Sequence, residues 1–382
     1  MDTLELNWLA LNLIPNLGIQ TLRQLIQHFE SVDKLLLASS EEIEKKCGIS
    51  EQLAHRIARA KEVSSFQIEQ RLIEEFDAEL MCLESPNYPP LLKEIAAPPP
   101  LIYKIGNLTK IGYPCIAFVG SRSCTSYGKK HTRRLIGELA QNFPNATIVS
   151  GLARGIDTIA HQTALDEGLS TIAVLAGGLS NIYPPENTTL AEAIKNQGSL
   201  ISEFPMGLKP LARNFPIRNR IISGLSHAIV VVEAGIKSGA LITAAFGLQH
   251  NREVFALPGN VEAATSRGTN RLISRHHAKL IVQAKDIVDE LQLSYSRTAQ
   301  TEFSFEFPQQ QTISLSEFSS AQVKILRVLE LGTQDIDTLF SQTEIEINEL
   351  LGFLIELELI GVVQSLEGQR YQLDESIKID EK

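Results

Sequence analysis

The stretch Thr147–His161 reads TIVSGLARGIDTIAH and contains the pattern that decides the fold. A short apolar run ends at Ser150, a loop with two glycines follows, and a helical segment begins near Asp157. Short apolar runs that alternate with helices indicate buried parallel strands, and ligands bind such sheets beyond the carboxyl ends of the strands. We therefore predict one strand-loop-helix unit of a parallel sheet, with its loop at the ligand-binding edge.

The same alternation extends from Pro114 to Leu291. It predicts an α/β fold with a Rossmann-like, doubly wound, mostly parallel sheet. The predicted strands are Cys115–Val119, Thr147–Ser150, Thr171–Leu175, Leu200–Ser202, Ala228–Glu233, Glu253–Leu257 and Leu280–Val282. The predicted helices are Tyr127–Asn142, Ile156–Glu167, Thr188–Asn196, Arg218–Ser223, Ala240–His250 and Asn270–Arg275.

The part of the chain before this sheet has a different pattern. Residues 1–84 carry apolar residues at helical spacing and predict a small helical domain. Its turn at residues 14–18 resembles a helix-hairpin-helix element that contacts DNA, or it is a plain turn in a helical bundle. The prolines at residues 86–100 mark a connector after which the sheet should begin, so we assign residues 85–293 to the sheet domain.

The C-terminal part differs from the rest in composition. Residues 294–313 are rich in Ser, Thr, Gln and Glu and predict a linker. Residues 314–382 predict a winged-helix-like domain with a terminal hairpin around residues 367–369. The net charge of the chain is −10, and residues 312–382 hold 5 Lys and Arg against 14 Asp and Glu. The preceding residues are therefore near neutral and can carry the local basic patch that phosphate contact requires.

The cysteines and the apolar runs indicate which compartment and which kinds of partner to expect for the protein. Cys47, Cys82, Cys115 and Cys124 form no C-x-x-C pair, which argues against a zinc site and against a disulfide framework. No apolar run reaches the ~18 residues that span a bilayer, and the N-terminus lacks the basic-then-apolar order of a secretory signal. We expect a cytoplasmic protein with no metal and no membrane partner.

The loop after the first predicted strand has the residues of an anion site. Gly120 lets the chain turn at the strand end, Ser121 can donate to a phosphate oxygen, and Arg122 can pair with it bidentately. The loop lacks the G-x-G-x-x-G spacing of dinucleotide sites, so we predict no cofactor. The alternative is a purely structural turn.

The second loop, Gly151–Gly155, repeats this geometry beside the first. In the helix that follows it, Asp157 and His161 are four residues apart and share a helical face. We favour a capping role for Asp157 and a packing role for His161 over an acid–base pair.

The third loop combines cations with an aromatic residue. Lys209, Arg213, Arg218 and Arg220 form a basic cluster around Phe215, and no acidic residue lies between Lys209 and Arg220. Single-strand binding needs cations that neutralise phosphates and a ring on which any base can stack. The alternative is that Phe215 belongs to the core and that the arginines form surface ion pairs.

Two further loops add polar groups to the same predicted edge. Ser238 and Gly239 stand at the start of a helix, whose free N–H groups attract anions. Residues 257–260 and 266–270 form the fifth loop. A long polar rim of this kind fits a polymer better than one small ligand.

Four sequence blocks resemble the signature blocks of the DprA/Smf family of DNA-processing proteins. They are Gly120–Arg122, Ser150–Asp157, Phe215–Arg220 and Ser238–Ala244, within residues 114–291. The resemblance implies an extended Rossmann fold, self-association as a homodimer, binding of single-stranded DNA, and delivery of that strand to the recombinase RecA during natural transformation. One departure is His277, which stands where the family often has glycine.

We therefore expect a non-enzymatic protein that binds single-stranded DNA without base specificity, protects it and helps to load RecA. The residues expected to line the strand are Gly120, Ser121, Arg122, Gly151, Ala153, Arg154, Gly155, Phe215, Arg218, Asn219, Arg220, Lys237, Ser238, Gly239 and Thr243.

Two other functions stay open at this point. The first is a Rossmann-like nucleotide-binding enzyme of the phosphoribohydrolase type, although the stretch from Pro258 lacks the glutamate of the P-G-G-x-G-T-x-x-E motif. The second is a DNA-binding regulator that acts through the winged helix. Its predicted recognition helix, Glu344–Leu357, is rich in glutamate, which repels phosphate. We expect this domain to contact protein, and deletion of residues 312–382 to leave single-strand affinity largely intact.

Overall fold

The strand Cys115–Val119 is buried along its whole length at the centre of the fold. Ile116 and Phe118 belong to one hydrophobic cluster, whereas Ala117 and Val119 belong to another. A strand that is apolar on both faces has to be covered by helices on both sides, which is the arrangement of a parallel α/β sheet.

The computed structural model describes residues 2–15, 17–106, 112–299, 311–315, 318–360, 362–366, 370–374 and 377–380. The chain divides into two units, Met1–Arg297 and Thr298–Lys382. Within the described ranges, no helix has both the length and the apolar character needed to cross a membrane.

The elements of the first unit alternate as the sequence predicts. The helices are α1 Thr3–Asn12, α2 Ile19–Phe29, α3 Val32–Leu37, α4 Ser40–Cys47, α5 Glu51–Ala58, α6 Ser64–Glu75, α7 Pro90–Lys93, α8 Ser126–Asn142, α9 Ile156–Asp166, α10 Thr188–Gln197, α11 Asn214–Gly224, α12 Gly239–Gln249, α13 Arg267–Ser274 and α14 Ala284–Ala299. The strands are β1 Glu79–Cys82, β2 Leu101–Gly106, β3 Cys115–Val119, β4 Thr147–Ser150, β5 Ser170–Val174, β6 Ser199–Ser202, β7 Ala228–Val231, β8 Glu253–Ala256 and β9 Lys279–Leu280.

These strands form one sheet in the order β1-β2-β6-β5-β4-β3-β7-β8-β9. All pairs from β6 to β9 in this order are parallel, whereas β1 and β2 pair antiparallel at one edge. Helices α8, α9 and α14 pack on one face, and helices α11, α12 and α13 pack on the other. The prediction of a doubly wound, mostly parallel sheet is confirmed.

The prediction that the sheet begins after the proline-rich connector is wrong. Strand β1 precedes the prolines, and Cys82 pairs with Leu101 across the connector. The prolines therefore lie in the link between two antiparallel strands, where their missing N–H groups are not needed by the sheet.

Helix α11 begins four residues earlier than the predicted start at Arg218. It starts at Asn214 and includes Pro216 in its first turn, where a helix has no use for an N–H donor. Phe215 therefore lies on a helix and not in a loop.

The expected domain of residues 1–84 shares its core with the sheet. Trp8 and Leu9 from the N-terminal helices lie in one hydrophobic cluster with Tyr103 of β2. The indole of Trp8 also donates to the Glu84 carboxylate at 3.0 Å. Residues 1–84 thus form one unit with the sheet. At the other end, α14 extends past residue 293 into the predicted linker, of which residues 300–310 lie outside the described residues.

The second unit has the predicted winged-helix elements. They are β10 Gln311–Ser314, α15 Ser320–Leu329, β11 Gln334–Asp335, α16 Ile336–Thr343, α17 Ile347–Leu359, β12 Val363–Leu366, β13 Arg370–Leu373 and β14 Ile377–Asp380. Strands β12 and β13 pair antiparallel beside β11, and the expected hairpin tip at residues 367–369 lies outside the described residues. Buried Leu326, Leu339 and Leu354 join the three helices in one core.

A candidate nucleic-acid interface

The order of the strands places a cleft at the centre of the sheet. From β3 the chain proceeds through β4, β5 and β6 to one side, and β7, β8 and β9 continue on the other. Ligands of doubly wound sheets bind where the order reverses, outside the carboxyl ends of the strands. A cleft of about 800 Å³ lies at this point, against Gly120 after β3 and Gly235 after β7.

Most of the residues expected to bind DNA line this cleft. Those that do are Gly120, Ser121, Arg122, Ala153, Phe215, Arg218, Asn219, Lys237, Ser238, Gly239 and Thr243. Gly151, Arg154, Gly155 and Arg220 are not among the lining residues. The cleft also brings in Ser123, Tyr183 and Ile242, which the sequence analysis did not select.

Backbone contacts hold the first two loops together. The N–H of Ser121 donates to the Glu233 carbonyl oxygen at 2.7 Å, and the Ser121 carbonyl oxygen accepts from the N–H of Ile156 at 3.2 Å. Gly155 has a φ of 81°, and a Cβ there would lie 2.2 Å from the Ser121 carbonyl oxygen. Only glycine allows this approach, so Gly155 shapes the cleft from behind without lining it.

Arg218 has a different role from the one expected, because it is buried. Its side chain belongs to a residue only 3% exposed, and its Nη1 donates to the carbonyl oxygens of Gly151, at 2.8 Å, and of Val174. These carbonyls stand at the ends of β4 and β5. Burial lowers the pKa of Arg218 to about 10, so its guanidinium is charged at neutral pH. Arg218 lines the cleft as expected, but its guanidinium joins two strand ends, a structural role that the sequence analysis did not assign to it.

Gly151 and Asp157 also surround the buried guanidinium of Arg218. A Cβ on Gly151 would lie 2.5 Å from Nη1 of Arg218, so glycine makes room for the guanidinium. The Asp157 carboxylate accepts from the N–H groups of Gly151 and Ala153 at 3.1 and 3.4 Å. Burial raises the pKa of Asp157 to about 6, and the charge of Arg218 acts in the opposite direction.

His161 does not form an acid–base pair with Asp157. Its Nδ1 lies 2.7 Å from Oγ1 of Thr171, and the ring is fully buried. Burial lowers the pKa of His161 to about 3, which keeps the ring neutral. The geometry fits the packing role that the sequence analysis favoured for His161. The expected capping role of Asp157 is wrong, because Gly155 is the N-cap of α9 and the Asp157 carboxylate accepts from N–H groups of the preceding loop.

The exposed cations of the cleft stand beside aromatic rings. The guanidinium carbon of Arg122 lies 4.9 Å from the ring centroid of Phe215, and the Tyr183 ring lies 6.0 Å from the same centroid at 71°. Arg122 and Lys237 are exposed, and in the described part of the chain no carboxylate is within ion-pair distance of either. Two cations and two rings thus face the same space.

Helix termini strengthen the positive character of the cleft. Helices α9, α11 and α12 all begin beside it, and Ser238 caps α12 by accepting from the N–H of Ala240 at 3.3 Å. The N-terminus of a helix attracts anions through its free N–H groups and its dipole. Among the lining residues the single carboxylate is that of Asp157, which the loop amides already engage.

Arg154 and Arg220 do not join the other arginines in the cleft. Arg154 pairs with Glu186 on the surface, and Arg220 pairs with the buried carboxylate of Glu203. On α11, Arg218 and Arg220 are two positions apart, about 200° around the helix, so they face different sides. The expectation that Arg154 and Arg220 line the strand is therefore not met in the cleft, and the alternative of an ion pair holds for Arg220.

The loop at Pro258, the stretch compared with the phosphoribohydrolase motif, is held by hydrogen bonds within the protein. The loop after Pro258 is closed on itself, because the Asn270 side chain accepts from the Gly259 N–H at 3.1 Å and donates to its carbonyl oxygen at 2.9 Å. Across the described residues, no group of three His, Cys, Asp or Glu side chains is placed to hold a metal ion.

Sequence families match both units. A family model described as DNA recombination-mediator protein A matches residues 79–292, and a DprA winged helix domain matches residues 309–369. Protein Smf of Synechocystis sp. is 32% identical over an alignment 392 positions long, which covers 96% of this chain and 98% of that protein. DNA processing protein DprA of Streptococcus pneumoniae is 42% identical over 205 residues, 54% of this chain and 71% of that protein.

Two solved structures are similar to this one. The X-ray structure of DprA from Streptococcus pneumoniae aligns with a TM-score of 0.65 and 32% identity, over 80% of this chain and 99% of that one. The structure of DprA from Helicobacter pylori, determined for its single-stranded DNA binding mode, aligns with a TM-score of 0.52 and 30% identity, over 57% of this chain and 97% of that one.

The buried and exposed arginines of the cleft should respond differently to substitution. We expect Arg218→Met to lower the free energy of unfolding by about 2–5 kcal/mol, because two buried carbonyls lose their donor and Asp157 loses its neighbouring cation. Arg122→Met should leave stability unchanged within about 0.5 kcal/mol, since Arg122 is exposed and unpaired with any described carboxylate. Denaturant unfolding of both variants measures the difference, and equal stabilities would contradict the assigned roles.

Proposed function

The chain belongs to the DNA recombination-mediator protein A family, known as DprA or Smf, and from this premise we propose that its cleft binds single-stranded DNA without base specificity. Family members are DNA-processing proteins. The relative from Helicobacter pylori, whose fold matches this one, is described by its single-stranded DNA binding mode.

One observation carries the proposal. Arg122, which has no ion pair with a described carboxylate, lies against Phe215 inside a cleft at the switch point of the sheet. The guanidinium and Lys237 supply positive charge for phosphates, while Phe215 and Tyr183 supply flat apolar surfaces for bases. Every base has a π-face, so stacking does not select a sequence.

The position of the rings favours single strands over duplex. Phe215 and Tyr183 line the cleft, and neither projects from a convex surface. A base reaches such a ring only when it has no partner strand, because pairing keeps its faces stacked inside the helix. Duplex DNA should therefore bind through its phosphates alone and more weakly.

The second unit is proposed to contact protein and not DNA. Glu346, Glu349, Glu356 and Glu358, in and beside α17, are exposed. A recognition helix with this charge would repel phosphates, so the observation weakens the alternative of a winged-helix regulator.

The cations of the cleft give the proposal its first test. Binding to a single strand should weaken with rising salt, and Arg122→Gln combined with Lys237→Gln should make the slope of log K against log salt shallower by about 1.4, or ~0.7 for each lost phosphate contact. Lys45→Gln combined with Lys61→Gln removes the same charge from exposed positions on α4 and in the turn between α5 and α6, and should leave the slope unchanged. A double variant that keeps the wild-type slope, or equal affinity of wild type for duplex, would overturn the proposal.

The stacking role of Phe215 gives the second test. Phe215→Ala should weaken binding of an oligothymidylate by roughly 1–3 kcal/mol, whereas Phe215→Tyr should retain most of the affinity. An abasic strand keeps the phosphates and removes the bases, so wild type and Phe215→Ala should bind it equally. If Phe215→Ala loses as much affinity relative to wild type on the abasic strand as on the oligothymidylate, Phe215 does not act by stacking.

The proposed fate of the bound strand rests on what the resemblance to the family implies. We propose that the protein, as a homodimer in the cytoplasm, protects the strand and helps to load RecA on it during natural transformation. RecA filaments should then assemble faster on a strand held by this protein than on one held by the Arg122→Gln variant, and RecA ATPase activity follows the assembly. Sedimentation of the free protein should give the mass of two chains. No acceleration by the wild-type protein would refute the loading role.

A further inference from the structure

Helix α8 carries a basic surface that the cleft does not include. Lys129, Lys130 and Arg133 are exposed. They lie on one side of the helix, because Lys129 and Lys130 are four and three positions before Arg133. In the described ranges no carboxylate lies within ion-pair distance of these three side chains, while their neighbour Arg134 pairs with Glu138. We call Lys129, Lys130 and Arg133 the α8 stripe.

The sequence keeps acidic residues away from the α8 stripe. Residues 95–137 contain no Asp or Glu, although the chain has 45 of them. One carboxylate reaches the first turn of α8, that of buried Glu233, which accepts from the N–H and the hydroxyl of Thr125 at 2.8 and 2.6 Å. Glu167, near Gly137, and Glu138, paired with Arg134, lie toward the C-terminal half of the helix. On the solvent side, the first turns of α8 therefore present the cations of the α8 stripe without an ion-pair partner among the described residues.

The α8 stripe lies directly beyond the loop that lines the cleft. Ser121, Arg122 and Ser123 line the cleft, and Cys124 follows them in the chain. Burial raises the pKa of the Cys124 thiol, the Glu233 carboxylate acts in the same direction, and the charges of Lys129 and Arg133 act in the opposite direction. From Thr125 to Arg133 the helix advances by about 12 Å, at ~1.5 Å per residue.

We propose that the α8 stripe is a second phosphate-binding surface, which receives the single strand where it leaves the cleft over the loop at Arg122. The inference rests on the proposed function of the cleft and names the path of the strand beyond it. Tyr127, the aromatic residue of this helix turn, is held by a hydrogen bond from its hydroxyl to the Pro258 carbonyl oxygen at 2.6 Å. The α8 stripe itself consists of cations only, so its proposed contacts are with the sugar–phosphate backbone.

Single strands of two different lengths distinguish binding in the cleft from binding to the α8 stripe. A strand of about 5 nucleotides, near the lower end of known single-strand site sizes, fills the cleft alone, whereas one of about 25 nucleotides extends past it. The triple variant Lys129→Gln, Lys130→Gln and Arg133→Gln should bind the short strand like wild type. On the long strand its affinity should fall, and the slope of log K against log salt should become shallower by up to about 2, or ~0.7 for each phosphate contact.

A matched triple variant controls for net charge. The variant Lys45→Gln, Arg56→Gln and Lys61→Gln removes three exposed cations from α4, α5 and the turn after α5, and should change binding to neither strand. Wild-type binding of the long strand by the α8 variant would overturn the inference, and so would an equal loss on both strands, which would indicate a general field effect. Arg122→Gln on the short strand tests the cleft itself, so a failure of the proposed function is read separately from a failure of the α8 stripe.

Discussion

The guanidinium of Arg218, buried at the ends of two adjacent strands, is the interaction on which the cleft depends. It joins the Gly151 and Val174 carbonyl oxygens and thereby anchors α11 to the carboxyl edge of the sheet. A buried charge is costly unless it is hydrogen-bonded and compensated, and here Asp157 provides the opposite charge nearby. Because α11 also carries Phe215, the position of the aromatic surface follows from this buried contact.

The cations of the first unit therefore divide into two classes. Arg218 and Arg220 are committed to buried partners and hold elements together, whereas Arg122 and Lys237 face the open cleft. The overall charge of −10 does not conflict with an anionic ligand, because the acidic excess lies in residues 312–382. Phosphate binding depends on the cations that are unpaired at the sheet edge, and the fold, not the overall composition, determines which cations these are.

The sequence predicted the central strands β3 and β4 to the residue, because strands buried on both faces leave continuous apolar runs between glycine-rich loops. It missed β1 and β2, whose antiparallel pairing across a proline-rich link has no such signal. Of the fifteen residues that it selected from their chemical types, eleven line the cleft, but it did not foresee that Arg218 joins two strand ends or that Arg220 pairs with Glu203. The partner of Arg220 is 17 residues away in the chain, and no local pattern announces such a contact. Tyr183 could have been noticed as an aromatic residue before two prolines in a strand-end loop.

The central claim is that a single strand lies in this cleft with its bases against the aromatic rings. Ultraviolet cross-linking of a bound oligothymidylate, followed by mass spectrometry of the linked peptides, tests it most directly. The account predicts that the main cross-links fall on Phe215 and Tyr183. Cross-links confined to the winged-helix unit or to the N-terminal helices, with none in the cleft, would contradict it.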